Sequence, residues 1–133
     1  MNISAKIKNS FQKNDITVTT NGDEKKLDIP GKAVGFGSSI NGGELLFLSL
    51  ATCFCNDIYR EAARRKMEVS LVEIIVSGEF GKEGEPASNI EYAVNVEAPG
   101  STQHDIDELI YHVDKIAEIH NTLRRGARVS LKM

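Results

Sequence analysis

The 133-residue sequence has only two cysteines, Cys53 and Cys55. One residue apart, they do not make a disulfide framework, and in a reducing compartment each is either a small buried hydrophobe or a reactive thiol. There is no surplus of positive charge: 16 Lys and Arg against 19 Asp and Glu leave a net charge of −3. Phosphate recognition needs a concentrated basic face, and nothing here exceeds Arg64-Arg65-Lys66, so no nucleic-acid partner is expected. No run approaches the roughly 20 apolar residues of a membrane-spanning helix. The most apolar stretch, residues 45–55, lies mid-chain, where no signal peptide belongs, and a cytoplasmic protein is expected. Gly35-Phe36-Gly37 lacks the rest of a dinucleotide fingerprint, and no serine sits in a nucleophile elbow. Repeats and low-complexity linkers are absent too, so residues 1–133 read as one domain.

What is present alternates between β and α signals. Ile3, Ala5 and Ile7 alternate with polar residues, as do Ile16 and Val18, and Asn21-Gly22 marks a tight hairpin before a strand through Leu27 and Ile29. Asn41 with Glu44 three residues later predicts the N-cap of a long helix from about 42 to 66. Its first half is apolar on almost every face, through Leu45, Leu46, Phe47, Leu48, Leu50, Ala51 and Phe54. Such a helix calls for cover all round, which a second subunit would provide. Strands are predicted over 68–80, with a bulge where the apolar phase changes between Leu71 and Val72, and over 89–97. A second helix is predicted from about 102 to 125, ended by Gly126, with residues 127–133 as a closing strand. The fold class is α+β: antiparallel sheets with two long helices.

On the first helix, the neighbours of Cys53 pass from apolar (Leu46, Leu50) to polar (Asn56, Asp57, Arg60), a boundary where a reactive thiol belongs. Cys55 is rotated about 200° away and reads as core, and the divergence disfavours a Cys53–Cys55 disulfide while the helix persists. His120 lies on the inward stripe of the second helix. Either it is a core imidazole with a backbone partner, or it faces Cys53 as base or hydrogen-bond donor. His104, His112 and His120 are eight apart, unlike helical metal-ligand pairs at i, i+4, so no zinc site with the cysteines is expected.

Asn41-Gly42-Gly43-Glu44-Leu45-Leu46 followed by Ala51-Thr52-Cys53-Phe54 resembles the start of the central helix of the OsmC/organic hydroperoxide resistance family. There, Asn-Pro-Glu-x-Leu leads into Ala-x-Cys-Phe. Asn121-Thr122-Leu123-Arg124-x-Gly126 resembles the segment after that family's second cysteine. The resemblance implies an intertwined homodimer with its sites at the subunit interface. It also implies a cycle in which a first cysteine attacks a hydroperoxide and a second resolves the sulfenate. Cys53 matches the attacking cysteine. The resemblance further implies a Glu of the Asn-Pro-Glu segment and an N-terminal Arg that prepare the thiolate; here Ala117 stands at the resolving position, Gly43 at that of the Glu, and no Arg precedes Arg60.

The expectation is therefore an OsmC-like thiol protein with Cys53 and His120 as catalytic residues and Glu44, Asp57, Glu118 and Asn121 as binding residues. Its chemistry would be single-cysteine reduction of organic hydroperoxides, with an external thiol as reductant and no cofactor or metal. The alternative is a non-enzymatic homodimer whose pocket holds a small molecule.

Overall fold

The computed structural model describes residues 1–133, which separate into two compact units, 1–45 and 46–133. In the first, β1 (Ile3–Ser10), β2 (Lys13–Thr20) and β3 (Asp23–Leu27) form an antiparallel meander in the order β1-β2-β3. The predicted hairpin is there: Thr20 pairs with Asp23 across Asn21 and Gly22, whose φ angles are 48° and 88°. Both are left-handed, as a two-residue turn matching strand twist requires. Gly31 bridges Ser38 and lies against β1–β2: a Cβ there would come within 2.8 Å of the Gln12 carbonyl carbon. The apolar residues of β1 are not half-buried as expected. Ile3 and Ile7 are exposed: within the meander β2 pairs along the edge of β1 and leaves its faces open.

Helix α1 spans Gly42–Arg64. Its start is the predicted capping box: Glu44 N–H donates to Asn41 Oδ1 (2.8 Å) and Asn41 N–H to Glu44 Oε1 (3.0 Å). One face is buried, through Leu50, Phe54, Asp57, Ile58, Glu61 and Ala62. The expected all-round burial is not found within the chain: Leu45 is 39% and Leu48 53% exposed.

In the second unit, β4 (Leu71–Phe80) pairs antiparallel with β5 (Ala87–Glu97). Val72, Ile74, Val76, Tyr92, Val94 and Val96 turn inward, while Leu71 and Ile75 are exposed. The bulge falls between Ser77 and Glu79, not at Leu71–Val72. The apolar phase change that suggested the earlier position is simply Leu71 facing out. At the real site, a Cβ on Gly78 would lie 2.6 Å from the Phe47 ring, so the aromatic occupies the space a side chain would need.

The second predicted helix is two. α2 (Gln103–Ile116) is capped by Thr102, which accepts from Asp105 N–H, and α3 (Glu118–Arg125) follows after Ala117, whose ψ of 112° is extended. The break frees carbonyls at the end of α2, and α3 returns side chains to them. Asn121 Nδ2 donates to the Lys115 carbonyl (2.9 Å) and Arg124 Nη1 to that of Asp114 (2.9 Å). The core joins Phe54, Ile58, Ala62, Val96, Ala98, Ile106, Leu109, Val113 and Ala117. Residues 127–133 form no strand and pair with nothing in the chain, leaving Val129 and Leu131 exposed. Their alternating pattern suits a strand, but a strand needs an edge partner, and these residues pair with none. No helix is long and apolar enough to cross a membrane.

Candidate functional site

The break at Ala117 puts the first turn of α3 beside Cys53. Cys53 Sγ lies 3.8 Å from Glu118 Oε2 and 4.0 Å from Asp57 Oδ2, so three of the six predicted residues come together. The cysteine is half-buried, Asp57 buried and Glu118 exposed. Burial pushes the thiol pKa above its ordinary value, and the negative charges of Asp57 and Glu118 push the same way. The backbone N–H groups of Ile119 and Glu118, at the start of α3, pull in the other direction. Asp57 is also raised, chiefly by desolvation and against the pull of Arg60, whose guanidinium is 2.8 Å from its Oδ1. The sulfur and the two carboxylates offer donor atoms within 4.8 Å of one another, a mixed soft and hard set able to hold a cation, with Asp57 already paired to Arg60.

His120 does not join them. Its ring packs against Tyr92 (centroids 4.7 Å apart) and Phe54 (5.5 Å), and neither nitrogen has a hydrogen-bond partner. The bond to Cys53 considered from sequence is therefore not made within the chain. Nor is the backbone partner that a core histidine would have. Desolvation and the Arg124 cation lower the pKa of this imidazole, with Asp114 opposing. Asn121 is engaged in capping α2, and Glu44 in the capping box of α1. Cys55 is half-buried, not core, and lines a shallow cavity with Ala51, Thr52, Asn56, Val72 and Ile74.

Sequence reasoning missed the cluster beside His120. Tyr92 O–H donates to Asp114, and Arg124 Nη2 donates to the same carboxylate at 2.6 Å. Burial, then this bond, raises the phenol pKa to about 12. Ten residues apart on a continuous helix, Asp114 and Arg124 would be separated by roughly 15 Å. Only the break at Ala117 brings them together, and no sequence signal announces it.

The family model for OsmC-like protein matches residues 35–132. Among curated proteins, no sequence matches. Among solved structures, an OsmC-like protein from Mycoplasma pneumoniae is 22% identical with a TM-score of 0.60, over 91% of this chain and 87% of that one. An organic hydroperoxide resistance protein OsmC from Legionella pneumophila is 17% identical (TM-score 0.59; 93% and 90% covered). The organic hydroperoxide resistance protein OhrB of Bacillus subtilis is 15% identical (TM-score 0.55; 93% and 91% covered). The antiparallel hairpins, the long helix carrying Cys53 and the matched segment agree: this chain belongs to the OsmC-like protein family.

Proposed function

We propose that this OsmC-like protein is a thiol redox protein of the oxidative-stress response, reducing organic hydroperoxides at Cys53 within a homodimer. The observation that carries the reading is the break at Ala117, which sets the first turn of α3 beside Cys53, with Glu118 Oε2 3.8 Å from Sγ. The amides of that turn partly offset the burial and the carboxylates that hold the thiol above its ordinary pKa, and the thiolate is the form that attacks peroxide. Fold similarity to hydroperoxide resistance proteins supports the same substrate class.

The Cys53 thiolate attacks one oxygen of the hydroperoxide, and the O–O bond breaks. Sulfur is oxidised to the sulfenic acid, and the leaving alkoxide takes a proton to become an alcohol. With Ala117 at the resolving position, an external thiol attacks the sulfenic sulfur, giving a mixed disulfide and water. A second external thiol then releases Cys53 and leaves as the oxidised disulfide. Burial and the two carboxylates keep Cys53 largely protonated near neutrality, so turnover rises with pH.

A subunit partner would cover the exposed apolar residues Leu48, Ile75, Val129 and Leu131. An obligate interface of this kind buries more than roughly 2,000 Å² in total, and sedimentation equilibrium at micromolar concentration should find a dimer.

The second reading, a non-enzymatic binding dimer, is favoured by one feature: the charged groups facing Cys53 are carboxylates, with no cation against the sulfur. Consumption of an organic hydroperoxide with a panel of mono- and dithiols separates the two. Turnover lost in Cys53→Ser and kept in Cys55→Ser supports the redox reading. Wild-type protein inactive with every reductant leaves the binding module.

A further inference from the structure

His120 is 4% exposed, yet neither ring nitrogen has a hydrogen-bond partner. Buried polar groups are almost always bonded, so a doubly unpartnered imidazole calls for a partner from outside the chain. It lines a cavity of about 110 Å³ together with Leu50, Ile90, Tyr92, Leu123 and Arg124. The other polar groups of that lining are already engaged. The Tyr92 hydroxyl donates to Asp114, and the Arg124 guanidinium is neutralised by the same carboxylate. No uncompensated charge is left for an anionic or cationic ligand. Leu50, Ile90 and Leu123 supply the aliphatic part of the lining, and the imidazole packs against the Phe54 and Tyr92 rings.

We infer that this cavity is a ligand site separate from Cys53, taking a compact, neutral, mainly apolar molecule whose single hydroxyl bonds His120. A neutral imidazole offers one N–H donor and one acceptor nitrogen, and a hydroxyl answers either. The volume is of the order of an engineered apolar cavity of about 150 Å³ that accepts benzene. Water is the competing occupant, but of the polar lining groups Tyr92 and Arg124 are committed to Asp114, which leaves it few free partners besides His120 of the two to four a buried water needs. Leu123 lines the cavity and is 41% exposed, which places it at the rim.

The inference requires no reaction at Cys53, so it is tested in full-length Cys53→Ser protein, where failure of the redox reading has no bearing. Phenol is the probe, and toluene is the matching ring without the hydroxyl. In an NMR titration, phenol should shift the Leu50 and Leu123 methyls and the His120 ring nitrogens saturably. It should bind at least fivefold more tightly than toluene. His120→Phe should bring phenol down to the affinity of toluene, and Leu123→Trp, filling the rim, should abolish both responses. Melting curves establish that each variant is folded, and the rim variant keeps the test in force if His120→Phe does not fold. Absence of a saturable response to phenol overturns the inference. So do binding that survives Leu123→Trp, a preference for phenol that survives His120→Phe, or His120 nitrogens unmoved at saturation.

Discussion

Replacing Glu118 by Gln removes one negative charge 3.8 Å from Cys53 Sγ while keeping the α3 backbone, whose amides face the same sulfur. Glu118 is exposed, so water-like screening applies. Two unit charges at that separation repel by about 1.1 kcal/mol at a dielectric of about 80, a factor of about 6 in the thiolate fraction. In a Cys55→Ser background, Glu118→Gln should therefore react about sixfold faster with iodoacetamide near pH 7. The pH–rate profile should move to lower pH. Near 1 M salt, where the screening length is about 3 Å, the difference should shrink. Asp57→Asn is a less direct probe, because Asp57 is buried and paired with Arg60, and its loss leaves that cation uncompensated. An unchanged or slower alkylation rate in folded Glu118→Gln would refute the carboxylate control of Cys53.

Three other outcomes are expected. Leu109 is fully buried in the core, and Leu109→Ala should lower unfolding stability by about 2–5 kcal/mol in urea titrations. Asn121→Ala removes the side chain that satisfies the Lys115 carbonyl, and should cost about 1 kcal/mol with little change in Cys53 alkylation. His120 has its pKa lowered in the folded state, so the unfolded chain binds the proton more readily. Its contribution is neutral well above pH 6.5 and turns destabilising as pH falls through that value toward the folded pKa. Melting temperature should accordingly fall between pH 7 and 5.5, and His120→Phe should flatten that dependence.

Local rules alone determined much of this chain. The Asn21-Gly22 hairpin, the capping box of Asn41 and Glu44, and the alternation of β5 rest on interactions within a few residues, so the sequence displays them directly. The placement of Cys53 at an apolar–polar boundary follows from helical periodicity, and the fold family from two short motifs. The bulge at Gly78 did not follow, because it depends on Phe47, thirty-one residues earlier, filling the space beside it. Residues 127–133 carry a strand's alternation without forming one, since alternation specifies a face but supplies no edge to pair with. The most consequential feature was equally hidden. Alanine is the best helix former, and nothing local at Ala117 signals a break. Packing and the return of Asn121 and Arg124 to the freed carbonyls of α2 sustain it. That one tertiary event sets the α3 amides and Glu118 against Cys53, joins Asp114 to Arg124, and leaves His120 buried beside its own cavity.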